Sequence, residues 1–174
     1  EFYSFNLDSI ARYDMITYDT STNKLYDRTD FNHHLDVNNS PSINTANNAI
    51  MFDGVNDYMR LSNLNNPQGA WSHSVSFWLY VPSTSGTGSD STWSHAVFFI
   101  GNTAELQASI FKYKKNSGNL VWCWDFWNSQ LTYTESASFY DNWHQMVLTY
   151  NGDTNIRKVY VDGVKRSGSY TFLG

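Results

Sequence analysis

The chain has 174 residues, a length that fits one domain, 1–174, and lets a fold bury about 70% of the surface its unfolded chain exposes. Its formal net charge of -5 speaks against a polyanion partner such as nucleic acid, since phosphate recognition needs a cluster of Lys and Arg, and no apolar run approaches the ~20 residues of a membrane helix. Aromatic residues make up 17% of the chain and charged residues 16%, so flat apolar surface is plentiful and ions are few, a balance that suits a β-sandwich with some aromatics left for a surface.

Residues Phe2 to Leu7 alternate well enough for a strand. Asp8 to Asp30 reads as a polar connection with a short apolar piece at Met15 to Tyr18, and Leu25 to Val37 as an irregular strand. From Asn38 to Asn48 the composition shifts to Asn, Ser and Thr around Pro41, which is loop chemistry. Asn38-Asn39-Ser40 is an N-glycosylation sequon whose placement in such a loop would suit a secreted protein, although a chain this rich in Asn and Ser also contains sequons by chance.

Ala49 to Phe52 and Tyr58 to Leu61 are two short strands joined by DGVND, compatible with a hairpin. Ser74 to Val81 makes a central strand ended by Pro82, which has no donor for a ladder. A Ser-, Thr- and Gly-rich loop follows over Ser83 to Ser94, then a buried run at Val97 to Ile100. Leu106 to Tyr113, a turn at Asn116 to Asn119 and Leu120 to Trp127 form a long hairpin, and Leu131 to Ser136 is the next strand. Met146 to Tyr150 and Lys158 to Val161 are strands around the Asn151-Gly152 turn. Asp162-Gly163 then predicts a two-residue type I′ turn, because both central positions need positive φ, and a strand from Val164 onward. No long amphipathic helix is evident, and turn signals about every 8 to 12 residues indicate a sandwich or barrel.

The segment Val121 to Trp127, VWCWDFW, is the most unusual. On a strand Trp122, Trp124 and Phe126 share one side while Cys123, Asp125 and Trp127 share the other. An exposed indole ladder offers flat faces on which sugar rings stack, with Asp125 to accept hydroxyl hydrogens; alternatively one side fills the core and the other packs under a loop. Cys123 is the single cysteine and forms no intrachain disulfide. The histidines His33, His34, His73, His95 and His144 are scattered or alternate in face and assemble no zinc set, with His144 expected in a structural role. Glu1, Glu105 and Glu135 stand apart from one another, no nucleophile elbow or phosphate loop is present, and the chain is not expected to be an enzyme.

Trp143, His144, Thr149, Tyr150, Tyr160, Val161, Asp162 and Gly163, together with Ala49 to Leu61 and Ser74 to Pro82 in the same order, resemble the signature of laminin-G-like jelly-roll domains of the concanavalin A-like lectin and glucanase superfamily. The resemblance implies an all-β, two-sheet antiparallel jelly-roll sandwich. It implies a non-catalytic module for carbohydrate recognition or adhesion, with a glycan or surface protein as partner, outside the cell or on a cell or virion surface. Glucanases of the superfamily carry Glu, Asp and Glu at alternate positions of one strand, a pattern this chain lacks.

The resemblance also implies calcium, for which Asp27, Asp53 and Asp57 are candidates, each beside a turn whose carbonyls would contribute; the same residues also suit ordinary turn chemistry. A closing strand is expected beyond Phe172-Leu173-Gly174, so that the chain is either a fragment or is completed in trans. Completion in trans is a second functional reading: a structural subunit of a fibre, coat or virion that self-associates at an open sheet edge, with Phe2 to Leu7 as donor strand.

Overall fold

A computed structural model describes residues 11–61, 72–84, 95–101, 109–126 and 129–172. The described residues form strands, turns and two short 3-10 turns, with no α-helix among them, as an all-β chain requires. Backbone contacts divide the chain into two compact units, Glu1–Asn65 and Asn66–Gly174. The proposed donor strand Phe2 to Leu7, Trp127, Glu1 and Glu105 lie outside the described residues.

The first unit contains β1 (Tyr18–Asp19), β2 (Lys24–Leu25), β3 (Leu35–Asn38), β4 (Ser42–Asn44), β5 (Ala49–Met51) and β6 (Tyr58–Arg60). Four of them make a sheet in the order β1-β2-β3-β6, while β4 and β5 pair separately. Two expectations are corrected here. The Asn-rich segment is itself a hairpin, with Ser42 opposite Met51 and Asn44 opposite Ala49. DGVND does not join a hairpin, because β5 pairs with β4 and β6 pairs with β3. Side-chain capping explains that segment: Asp53 Oδ1 accepts the N–H groups of Val55 and Asn56, holding a compact turn in place of a two-strand reversal.

The second unit is the sandwich. Its strands are β7 (His73–Tyr80), β8 (His95–Ile100), β9 (Ser109–Asn116), β10 (Asn119–Phe126), β11 (Ser129–Glu135), β12 (Trp143–Asn151), β13 (Ile156–Val161), β14 (Val164–Lys165) and β15 (Ser169–Phe172). One sheet runs β15-β11-β10-β9-β8 and the other β14-β13-β12-β7, with every pairing antiparallel. The β9–β10 and β13–β14 reversals are both two-residue turns. Ser117 and Gly118 have φ of 50° and 85°, Asp162 and Gly163 have 52° and 76°, and so both turns have the positive dihedrals that a type I′ turn demands.

Alternation along these strands sends Phe111, Leu120, Trp122, Trp124, Leu131 and Tyr133 inward from the larger sheet, against Met146, Leu148, Val159 and Val161 from the smaller one. Arg157 is also buried there. Its Nη1 donates to the carbonyls of Trp124 at 3.1 Å and Ser129 at 3.0 Å, its Nη2 donates to the Ser129 hydroxyl, and its guanidinium lies 4.8 Å from the centre of the Phe126 ring. A cation inside an apolar sandwich is tolerated because hydrogen bonds and an aromatic face replace water around it.

Candidate functional site: an aromatic ridge on the smaller sheet

In β7 the apolar side chains Val75, Phe77 and Leu79 fall on one side and Ser74, Ser76, Trp78 and Tyr80 on the other, which is the exposed side. In β12, Trp143 and Gln145 share a parity opposite to the buried Met146, Leu148 and Tyr150. Register pairs Tyr80 with Trp143 and Trp78 with Gln145, so the three large aromatics occupy adjacent places on one outer face. Trp78 is 64% exposed, Tyr80 39% and Trp143 38%. The Tyr80 and Trp143 rings are 5.5 Å apart at 50°, giving the ridge two mutually supported planes.

Polar groups border the ridge. Gln145, Ser76, Ser74, Thr149 and Tyr160 continue the same face across β7, β12 and β13, while Lys158 and Lys165 stand at its far side. Asp141, at φ 59°, sits at the near end. Its N–H donates to the Val81 carbonyl at 3.0 Å, and its Oδ1 accepts the Ser83 N–H at 2.9 Å and the Tyr80 hydroxyl at 3.5 Å. The Ser83 amide bond is the main reason the Asp141 carboxyl is held below the usual carboxylate range. Lys115 ties the same corner by donating to the Ser83 carbonyl at 2.7 Å.

The Trp-His and Asp-Gly pieces of the sequence signature form a structural clip beneath this ridge. His144 Nδ1 is 2.6 Å from Asp162 Oδ2, its Nε2 is 3.2 Å from the Phe139 carbonyl, and its ring stacks on Phe139 at 4.1 Å. Asp162 Oδ1 accepts the Gln145 N–H at 2.9 Å. The start of β12 is thereby fastened to the β13–β14 turn, which fixes Trp143 and Gln145 on the face.

The indole ladder predicted as a ligand face is a correction. Trp122 and Trp124 are both 0% exposed. Trp122 packs among Phe111, Tyr113, Tyr133 and Phe139, while Trp124 donates its indole N–H to the Ser109 hydroxyl at 2.7 Å. Phe126 continues inward and meets Tyr150 at 4.5 Å. The physical reason is area: indoles on an inner sheet face bury more apolar surface than any other side chain offers, and the sandwich takes them. Asp125 points to the opposite side, where Lys112 Nζ is 2.8 Å and Gln130 Nε2 3.3 Å from its Oδ2. It is separated from the ladder it was expected to assist.

The three candidate calcium ligands are not assembled into a site, and no group of three or more His, Cys, Asp or Glu suited to a metal occurs among the described residues. Asp27 is saturated: its oxygens accept the N–H of Arg12, Thr29 and His33 and the Thr29 hydroxyl, at 2.6 to 3.1 Å. About four lone-pair positions are all that a carboxylate has, so its acceptor capacity is used. Asp53 caps its own turn, and Asp57 Oδ2 accepts the Asp53 N–H at 2.9 Å. The sequon residue Asn38 ends strand β3 rather than opening a loop, and its Nδ2 donates to the Asp36 carbonyl at 3.1 Å.

Trp78, Tyr80 and Trp143 were not among the sequence-predicted site residues. A signal was present: with Val75, Phe77 and Leu79 assigned to the core, the complementary positions of the same strand are Ser, Ser, Trp and Tyr, an aromatic pair on a hydroxyl-rich outer face. A laminin G family model, described as the concanavalin A-like lectin/glucanases superfamily, matches residues 53–173, more than half of the chain. No curated protein and no solved structure gives a significant match. With the antiparallel sandwich and the family match in agreement, the chain belongs to the laminin-G-like branch of the concanavalin A-like lectin and glucanase superfamily.

Proposed function

We propose that this protein is a non-catalytic carbohydrate-recognition module acting at a cell or particle surface, and that Trp78, Tyr80 and Trp143 bind the glycan. The observation that supports this most is the ridge itself. Three large aromatics left in water on a strand pair cost apolar exposure that a folded chain ordinarily avoids at neighbouring positions, and such patches mark binding sites. Sugar rings have apolar C–H faces that stack on indole and phenol planes, while the bordering hydroxyl, amide and carboxylate groups suit their hydroxyls. The family to which the chain belongs is consistent with such a role.

The non-catalytic part of the proposal is supported by the carboxylates. Glycoside hydrolysis needs two carboxyl groups flanking the scissile bond. Among the described residues Glu135 is engaged by Arg166, Asp125 by Lys112, and Asp162, beside the start of β12, by His144 and the Gln145 N–H, while Asp141 stands beside the ridge. Hydrolysis of a bound oligosaccharide would contradict this part.

The test is binding of the full chain to a broad glycan array, with calcium and again with chelator, in parallel with Trp78→Ala, Trp143→Ala and the five-stranded-sheet variant Asp125→Asn. Signal abolished by either tryptophan change and kept by Asp125→Asn is expected, and the chelator arm reads out the calcium dependence that the family resemblance implies. Signal indifferent to Trp78 and Trp143 would overturn the ridge as the site. A folded protein with no signal would favour assembly through the sheet edges, and sedimentation would then report self-association.

A further inference from the structure

We infer that Asp141 sets the ligand class of the ridge: the group bound over Tyr80 and Trp143 is an uncharged, hydroxyl-rich sugar ring, and sugars bearing carboxylate or sulfate are rejected there. This inference rests on the reading of the ridge as a glycan site.

Three observations lead to it. First, Asp141 adjoins the stacking planes, since the Tyr80 hydroxyl reaches its Oδ1 at 3.5 Å and Tyr80 is paired with Trp143 across the strands. Second, the carboxylate is oriented before any ligand arrives. Its backbone, at a left-handed φ of 59°, is fastened to Val81, and its Oδ1 is held by the Ser83 N–H. Third, the side chain is exposed, and the bonds it accepts from the Ser83 N–H and hydroxyl and from the Tyr80 hydroxyl use three of the roughly four acceptor positions a carboxylate offers, which leaves room for a ligand hydroxyl.

An oriented carboxylate with spare acceptor capacity beside a stacking surface accepts hydrogen bonds from the hydroxyls of a ring lying on that surface. Such charge-assisted bonds are shorter and stronger than neutral ones. The same charge repels an anionic substituent brought close to it, and that rejection is a source of selectivity independent of the stacking. Lys115, bound to the Ser83 carbonyl, is a cation at the same corner and offsets part of this charge, while Lys158 and Lys165 stand across β12 and β13 from it.

The experiment titrates the full chain, Asp141→Asn and Trp78→Ala with neutral probes, cellohexaose, chitohexaose and mannohexaose, and with anionic ones, oligogalacturonate and a heparin oligosaccharide. Asn adopts left-handed φ readily and retains an acceptor for the Ser83 N–H, so the corner should keep its geometry. The unmodified chain is expected to bind at least one neutral probe in preference to both anionic ones. Asp141→Asn should weaken the neutral complex about tenfold, the factor that 1.4 kcal/mol represents, and narrow its preference over the anionic probes. Asp141→Glu, which keeps the charge and displaces it, should keep the rejection while weakening neutral binding, and serves where the Asn variant fails to fold.

Neutral binding that is lost in Trp78→Ala and unchanged in Asp141→Asn would overturn this inference and leave the ridge in place. Preferential binding of the anionic probes would do the same. Binding unaffected by Trp78→Ala, or none to any probe, would overturn the ridge reading itself.

Discussion

Trp122 lies parallel to Phe111 in the middle of the sandwich, with ring centroids 5.0 Å apart and planes 8° from parallel. Trp78, on the other sheet, belongs to a different environment, with most of its side chain in water. The two tryptophans therefore respond oppositely to truncation. Trp122→Ala should cost about 3–5 kcal/mol of stability, the range for removing a buried aromatic, and Trp78→Ala no more than about 0.5 kcal/mol, as for an exposed site. Chemical denaturation of both variants checks the pair.

Arg157 makes the inter-sheet connection of this core polar. Replacing it by Met keeps much of the apolar stem but leaves the carbonyls of Trp124 and Ser129 without this donor. A buried group that loses its partner costs about 1–3 kcal/mol, and a loss of that order is expected in urea unfolding. Arg157→Lys should recover only part of it, because an ammonium lacks the planar fork that reaches Trp124 and both Ser129 acceptors together.

Asp27 gives the first unit an acid limit. Burial alone would raise its carboxyl, but the N–H of Arg12, the hydroxyl and N–H of Thr29 and the N–H of His33 together lower it from 3.8 to about 2. Since the folded value is below the unfolded one, the stabilisation is fully present above about pH 4 and is lost as pH falls toward 2. It amounts to something on the order of 2 kcal/mol. Hydrogen-exchange protection of peptides from residues 24–38, taken relative to the intrinsic amide rate at each pH, should fall across that interval in the native chain, and Asp27→Asn should show reduced protection already at neutral pH.

Gly168 lets β15 approach β11. A Cβ built at this position would lie 2.6 Å from the Thr132 carbonyl oxygen and 2.7 Å from Leu131 Cδ1. The carbonyl belongs to the sheet backbone and has little freedom to yield. Gly168→Ala should destabilise by about 1–3 kcal/mol, as overpacking does, with loss of exchange protection concentrated in Ser169–Phe172 and the facing part of β11.

Much of the second unit was legible because turn chemistry and alternation agreed there. Asp162-Gly163 specified its turn, and the apolar parity of Met146, Leu148 and Tyr150 specified the inner face of β12. In the first unit the strands are two to four residues long, too short for alternation to establish pairing. Asp53 there caps a turn that reads in sequence like a hairpin.

The site was misread for a physical reason as well. VWCWDFW announces aromatics but not which side of the sheet is covered, and that depends on a facing sheet distant in sequence. Trp78, Tyr80 and Trp143 are separated by more than sixty residues between β7 and β12, so only the register Tyr80 to Trp143 brings them together. Asp141 depends further on the bend that folds it back to Ser83.

The most direct measurement is nuclear magnetic resonance of the tryptophan indole N–H groups in the nitrogen-labelled full chain, titrated with the oligosaccharide that the glycan array identifies. The Trp78 and Trp143 signals should shift progressively with ligand while those of Trp122 and Trp124, sealed in the sandwich, stay in place. Saturable binding that leaves Trp78 and Trp143 unmoved would contradict the ridge as the glycan site.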